Sequence, residues 1–224
     1  MTLRKNKIIT IDGPSGAGKS TIAKLLASTA GYTYIDSGAI YRGIAYAHKI
    51  RKDGGLVEEL LRDLPLTFEF GKNTRVRLSG KDISEEIRKP DISLLASSLS
   101  QQQPVREYAN AVQRGLAAGK RAVLEGRDAG SVVFPDADIK FYLDARPDER
   151  AHRRYSELAS KGSQSALATV KEEMEKRDAN DSTRAIAPLV IPDGAIIVDT
   201  TGMDIEGVLR TILAHIKDRD GQKK

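Results

Sequence analysis

"GPSGAGKST", residues 13–21, follows the apolar run "IITI" (8–11) and leads into "TIAKLLAST" (21–29). Gly13, Gly18, Lys19 and Ser20 fit the spacing G-x-x-x-x-G-K-[ST]. In such a loop the glycines let consecutive backbone N–H groups turn around phosphate, the lysine reaches the outer phosphates, and the serine hydroxyl ligates magnesium. A chain of this length and composition meets the pattern by chance roughly one or two times in a hundred, and the flanking strand and helix narrow it further. The loop therefore holds a nucleoside triphosphate, with the positive end of the following helix adding to its field. What receives the phosphate has to be read elsewhere.

Outward from that loop, short β-branched runs precede helical patterns: "KIITID" (7–12), "YTYID" (32–36), "AVLEG" (122–126), "IKFYLD" (139–144) and "AIIVDT" (195–200). Strands alternating with helices predict a parallel sheet covered on both faces. The last helix carries Ile205, Val208, Leu209, Ile212, Leu213 and Ile216 as one stripe at spacings of three and four, which packs on the sheet. Residues 64–83 break this rhythm. "LTFEF", "TRVRLSG" and "KDIS" alternate apolar with polar between turn signals, the pattern of a small antiparallel meander. It lies between helical stretches ending near Arg62 and beginning near Asp91, so residues 64–101 read as an insertion. The fold class is then α/β, a P-loop NTPase-type parallel five-stranded sheet with a small antiparallel insertion and a helical lid, in one domain spanning residues 1–224. The tail "GQKK" reads as loose.

At 224 residues, 40% hydrophobic and 30% charged, the chain has the composition of a self-folding globular protein. Thirty-six Lys and Arg against thirty-one Asp and Glu leave a net charge of +5, suited to small phosphorylated ligands and short of a nucleic-acid coat. The absence of cysteine excludes disulfides, thiolate metal sites and cysteine nucleophiles. The N-terminus starts basic, but its apolar run stops at Asp12, too short for an export signal, and no stretch approaches eighteen apolar residues. The expectation is a cytoplasmic monomer with neither nucleic acid nor membrane as a partner.

A triphosphate loop alone does not separate switches, motors and kinases. No N-K-x-D guanine-reading motif is present, and the chain is short for a helicase or transporter ATPase. A small-molecule kinase needs a second, arginine-rich pocket beside the triphosphate. Three segments can supply it. "DSGAIYR" (36–42) and "EGRDAG" (125–130) follow strands, which sets Asp36, Ser37, Tyr41, Arg42, Arg127 and Asp128 at the carboxyl edge of the sheet, where ligands bind in such folds. "KRDANDSTR" (176–184) reads as helical, with Arg177, Asp181 and Arg184 on one face. Each also reads as a set of solvated ion pairs; their convergence on one edge is what makes a pocket. "RPDERAHRR" (146–154) puts Arg150, Arg153 and Arg154 on one helical face, either a solvated basic surface or a lid over 146–165 that carries positive charge to the transferring phosphate.

In this order "TIDGPSGAGKST", "DSGAIYR", "VREYANAVQR", "GRDAGSVVFPDA", "ERAHRR" and "KRDANDSTRAIAPL" resemble the bacterial cytidylate kinases, from about residue 7 to residue 216. The resemblance implies transfer of phosphate from ATP, with Mg2+, to CMP or dCMP, with the insertion as part of the CMP-binding lobe. It assigns Gly13, Pro14, Ser15, Gly16, Ala17, Gly18, Lys19, Ser20 and Thr21 to ATP, with Ser20 on the metal and Arg153 also at ATP. It makes Arg42, Arg127 and Arg184 holders of the CMP phosphate, turns Ser97, Arg106 and Asp128 toward cytosine, and places Arg177 and Asp181 near the ribose; Ser37 and Tyr41 complete the CMP set. Lys19, Arg127, Arg150 and Arg184 form the catalytic group. "LASSLS" offers Ser97, Ser98 and Ser100, and spacing back from "VRE" selects the first. The family often has Asp-Gly where this chain has Glu125-Gly126, which leaves the role of Glu125 open. Adenylate, uridylate and shikimate kinases are the competing acceptor classes, and the insertion argues against the last.

Overall fold

The computed structural model describes residues 7–51, 55–69, 74–160 and 162–222, with backbone alone at 220–222. In chain order the elements are β1 (Lys7–Asp12), α1 (Lys19–Ala30), β2 (Thr33–Asp36), α2 (Ser37–Ile50), α3 (Val57–Arg62), β3 (Leu66–Glu69), β4 (Arg75–Leu78), β5 (Lys81–Asp82), α4 (Pro90–Leu99), α5 (Gln103–Ala117), β6 (Arg121–Glu125), β7 (Ile139–Asp144), α6 (Pro147–Ser160), α7 (Leu167–Thr183), β8 (Ile196–Asp199) and α8 (Ile205–Gln222).

β1 is buried almost throughout, as expected of a strand paired on both sides and covered on both faces. The large sheet has the order β2-β6-β1-β7-β8, all parallel. The chain leaves β1 toward one edge, returns through β6, and continues to the other edge through β7. That reversal opens a crevice at the carboxyl end of β1, where the 13–21 loop begins. Register aligns the chemistry there: Ile11 lies opposite both Glu125 and Phe141, and Asp36 lies opposite Glu125. Asp12, Asp36, Glu125 and Asp144 thus end four neighbouring strands on one edge.

Apolar side chains gather in separate groups. Ile9, Ile11, Phe141 and Leu143 of the sheet pack with Ile22 and Leu26 of α1 and Val208, Ile212 and Ile216 of α8. Ile40 and Ile44 of α2 pack instead with Val57, Val76, Ile83, Ile92, Val105 and Ala109. The meander β3-β4-β5 is therefore one wall of a lobe that α2 and α5 complete from outside residues 64–101. Part of its first turn, residues 70–73, lies outside the described residues.

The structure corrects or completes three local expectations. The helix of "KRDANDSTR" stops at Thr183, and Arg184 is extended (φ −63°, ψ 142°), so Arg184 leaves the helical face that carries Arg177 and Asp181. The helix at 147–160 has a partner that the sequence reading did not specify: Ala151 and Leu158 pack with Leu167, Val170 and Met174, which makes α6 and α7 one hairpin. The C-terminal helix runs through Gly221 and Gln222, where the sequence reads as loose; Lys223 and Lys224 lie outside the described residues. Among the described residues, no helix is long and apolar enough to cross a membrane.

Phe141 is fully buried at the middle of the sheet. Phe141→Ala should lower unfolding free energy by about 3–5 kcal/mol, the cost of lost transfer plus the cavity left behind. Urea denaturation of both proteins measures it as a drop in midpoint at unchanged slope.

Candidate functional site

Gly13 opens the phosphate loop at φ +145°, and a Cβ there would sit 2.0 Å from the Leu143 carbonyl oxygen, so loop and β7 meet at a distance only glycine permits. Gly18 closes the loop in the left-handed region (φ 87°) and caps α1 without any side-chain hydrogen bond. The first N–H groups of α1 are thus left for an anion. Lys19 is buried and folds its Nζ back to donate to the Pro14 carbonyl at 2.6 Å. Its pKa is pushed down from 10.5 to about 7, first by burial and then by the Arg127 guanidinium, with Arg177 adding and Glu125 and Asp178 opposing.

Behind the loop, Glu125 at the end of β6 accepts a hydrogen bond from the Ser20 hydroxyl at 2.9 Å and another from the Tyr34 hydroxyl at 3.4 Å. Burial and then the negative charge of Glu125 push the Tyr34 phenol far up. One hydroxyl backed by one carboxylate fits magnesium, which keeps waters and takes its other oxygens from substrate phosphates. Asp12, fully buried, accepts from the Ala129 N–H at 2.8 Å and the Gly130 N–H at 2.7 Å, and so fixes the turn that follows Arg127-Asp128. Its carboxyl is raised from 3.8 to about 6 by burial, against those two N–H groups.

The arginines facing the loop are spaced by carboxylates. Arg127 donates through Nε to Asp181 at 2.9 Å and through Nη2 to the Ser15 hydroxyl at 3.0 Å. Although burial opposes it, Asp181, Asp178 and Glu125 together raise its pKa. Arg184 lies 3.4 Å from Asp128 and 3.6 Å from Asp181, and its Nε donates to the Ala187 carbonyl. Arg106 is buried between Asp128, to which Nη2 donates, and the Ser100 carbonyl, to which Nη1 donates at 3.1 Å. Its guanidinium sits 5.6 Å from the Tyr41 ring centroid. Burial, then the nearby Asp128 charge, moves the Tyr41 phenol up to about 12. Arg42 reaches Asp36 at 3.3 Å, and Asp36 also accepts from the Ala39 N–H as the cap of α2. Arg177 keeps an exposed surface and makes no hydrogen bond or ion pair among the described residues. Partial loss of water and then Arg127 lower its pKa.

Not every residue read from the sequence meets this cluster. Arg150 turns onto the loop, donating to the Ser15 carbonyl at 2.7 Å and to Asp178. Arg153 instead grips Thr200 at the end of β8 through its hydroxyl (2.8 Å) and carbonyl (2.6 Å), and Arg154 pairs with Glu157 in solvent. The three serines of "LASSLS" separate: Ser100 is buried and bonds the Ser97 carbonyl, Ser98 is exposed, and the half-buried Ser97 hydroxyl makes no hydrogen bond among the described residues. Ser37 donates its hydroxyl to the Glu125 carbonyl at 2.6 Å and ties β6 to the start of α2.

The family model described as Cytidylate kinase matches residues 9–218. The chain belongs to the cytidylate kinase family. A cytidylate kinase of Caldanaerobacter subterraneus subsp. tengcongensis is 46% identical over 215 residues, 93% of this chain and 94% of that one. One from Geobacter sp. strain M21 is 43% identical over 221 residues, 96% and 94% of the two chains. Among solved structures, the shikimate kinase of Bacteroides thetaiotaomicron aligns with a TM-score of 0.50 at 13% identity over 94% of this chain and 98% of that one. An uncharacterized protein from Eubacterium ventriosum reaches 0.54 at 16% identity, over 96% and 99%. These two share the fold alone.

Within this cytidylate kinase fold, sequence reasoning left Asp12, Asp36 and Asp178 without roles. Asp12 only interrupts an apolar run, and Asp178 sits one step off the face of Arg177 and Asp181. The visible signal was acidic residues ending strands or flanking arginines inside already quoted motifs.

A lysine held near pH 7 in the free protein regains its proton when triphosphate replaces its neighbouring cations as the nearest charge. ATP binding at pH 8 should therefore take up a fraction of a proton approaching about one per site, and Lys19→Met should abolish the uptake. Titration calorimetry in buffers of different ionisation enthalpy reads it; a buffer-independent heat for the unmodified protein contradicts the assignment.

Proposed function

We propose that the protein transfers the γ-phosphoryl group of ATP to CMP and dCMP, giving ADP and CDP or dCDP. The observation that carries this reading is the acid-spaced arginine cluster facing the phosphate loop, together with what it leaves unpaired. Among the described residues, the Tyr41 hydroxyl, Arg42 Nε and Arg106 Nε are among the buried side-chain atoms without a hydrogen-bond partner, and these three belong to the lobe beside the arginine cluster. Buried polar atoms rarely stay unpaired, and a group of them in one lobe marks where a ligand supplies the partner.

The acceptor, a phosphate oxygen, is already anionic at neutral pH, so the site needs alignment and charge neutralisation more than a base. Residues 13–21 hold ATP. Ser20, backed by Glu125, would hold the magnesium that accompanies ATP, and bound there it would supply positive charge to the nucleotide phosphates. Lys19, Arg127, Arg150 and Arg184 place positive charge where it develops during transfer. Arg42, Arg127 and Arg184 hold the CMP phosphate, with Ser37 and Tyr41 beside it, and Arg177 and Asp181 stand at the ribose. Arg153 serves the ATP side from its place at Thr200. The 64–101 insertion belongs to the CMP-binding lobe and 146–165 to the lid. The same reading places the enzyme in the cytoplasm as a monomer.

Cytosine presents an N4 amino donor beside N3 and O2 acceptors, whereas uracil presents an O4 acceptor beside an N3–H. Asp128 accepts from the amino group, since a carboxylate has about four acceptor positions and Arg106 and Arg184 occupy two. Arg106 donates to N3 and O2. Ser97 adds a free hydroxyl from the end of α4.

The test is an acceptor panel of CMP, dCMP, UMP and AMP with ATP, read by coupled ADP release, on the unmodified protein and on Arg106→Met. The methionine keeps side-chain length and loses the donors. We expect kcat/KM for CMP to fall about a hundredfold or more and the CMP to UMP ratio to shrink with it, because a mismatched buried polar site loses water and gains nothing. A constant ratio removes Arg106 from cytosine reading; turnover indifferent to every nucleoside monophosphate removes the kinase assignment.

A further inference from the structure

Asp178 has no part in the scheme above, yet it stands where the hairpin α6–α7 meets the phosphate loop. Its Oδ1 accepts from the Ser15 backbone N–H at 2.9 Å, and its Oδ2 accepts from Arg150 Nη1. The same Nη1 donates to the Ser15 carbonyl at 2.7 Å. Both polar ends of residue 15 are thereby held by one ion pair: the carboxylate takes the N–H and the guanidinium takes the C=O. Ser15 also meets the other side of the cleft, because its hydroxyl accepts from Arg127 Nη2 at 3.0 Å. Three elements that the fold brings from far apart in sequence, α6, α7 and the turn after β6, therefore meet on one residue of the loop.

Pro14 fixes the chain just before Ser15, but Gly16 just after it is left-handed at φ +75°. The Ser15–Gly16 peptide, whose carbonyl Arg150 holds, therefore adjoins a residue with little intrinsic preference, and external contacts help to fix it. The hairpin is seated closely enough to do so: a Cβ on Gly16 would lie 2.7 Å from both the Arg150 carbonyl oxygen and the Met174 methyl. The ion pair is also shielded, with side-chain exposures of 11% for Arg150 and 14% for Asp178, so solvent screens it less than a surface pair. A charged acceptor on a backbone N–H makes one of the stronger hydrogen bonds available to a loop. Arg150 is further tethered through Nε to the Ala145 carbonyl at 3.0 Å, which leaves its Nη2 without a hydrogen bond among the described residues.

We propose that Asp178 is a positioning residue for phosphoryl transfer, clamping the Arg150 guanidinium and the Ser15 peptide into one arrangement so that the free edge of Arg150 is held beside the phosphate loop. This rests on the kinase reading and deepens it. Asp178 itself touches no substrate atom; it acts through Arg150 and Ser15.

The experiment compares the full chain with D178N, R150A and D178N/R150A. Asn keeps an acceptor for the Ser15 N–H and loses the charge that orients Arg150. Expected for D178N is a kcat lower by about ten- to a hundredfold, with KM for ATP and CMP within about threefold, the signature of lost positioning rather than lost binding. The double variant should be no slower than R150A alone, because both changes break one clamp. Losses that multiply overturn the proposal, as does an unchanged kcat. A lowered KM for ATP at preserved kcat overturns it as well, since the carboxylate then competes with nucleotide phosphate. Amide hydrogen exchange at Ser15, followed by NMR without any nucleotide, gives the second measurement. R150A, with D178N wherever it folds, should speed exchange there about tenfold while Ile9 and Ile11 in the sheet stay protected; equal exchange at Ser15 rejects the clamp. Absence of CMP phosphorylation by the unmodified protein rejects the kinase reading, and the exchange measurement still decides the clamp.

Discussion

Cations crowded into one cleft repel each other, and in this protein the folding of the site depends on the carboxylates set between them. Asp181 separates Arg127 from Arg184, Asp128 separates Arg184 from Arg106, Asp36 holds Arg42, and Asp178 holds Arg150. Each acid comes from a different strand end or helix than most of the arginines it touches. The pocket therefore exists only once the sheet, the lobe and the hairpin are assembled. Without such spacing the arginines would be pushed into solvent and the geometry lost. Lys19 lies in the same field: burial first, and the Arg127 guanidinium second, push its pKa down.

The phosphate loop fits this arrangement through steric exclusions as much as through charge. Gly13 lets the loop meet β7 and Gly16 lets it meet α6 and α7, so a loop with few side chains of its own is walled by backbone and by the hairpin. Asp12 does the same for the turn that carries Arg127 and Asp128, binding two consecutive N–H groups with one carboxylate. The glycine-rich loop and the turn that carries Arg127 and Asp128 thus hang from the two ends of one short stretch, Asp12 to Ser15.

Much of this was legible in the sequence. All five strands of the large sheet stand out because buried parallel strands need unbroken β-branched runs, and "KIITID" and "AIIVDT" supply them between helices of clear period. Arg127 was legible because it follows β6, and Arg42 because its helix α2 follows β2, where sheet topology sets the position; Arg177 came from helical spacing and Arg106 only from the family resemblance. The end of α7 was not: "NDSTR" holds no glycine or proline, and Arg184 is held outside the helix by a long-range contact with Asp128 and a local one with the Ala187 carbonyl. Nor was the pairing of α6 with α7, since the apolar side chains that join them, Ala151, Leu158, Val170 and Met174, are sparse within charged segments. Asp178 was hidden for a related reason. Its partners lie 28 and 163 residues away, and no spacing rule within a helix reports on them.

Arg177 differs from its neighbours in making no hydrogen bond or ion pair among the described residues. An anion that approaches Arg42, Arg106, Arg127 or Arg184 trades one negative partner for another or shares it, so the gain in attraction is a difference between two similar quantities. At Arg177, on which Asp181 acts without an ion pair, less is given up. Mobile ions act on these two kinds of cation unequally: dissolved salt screens a solvent-contacting charge within a Debye length of about 10 Å at 0.1 M, while buried pairs feel it little. The ionic composition of the surroundings therefore acts on the field of the cleft more through Arg177 than through the paired arginines, whose partners the fold fixes in advance.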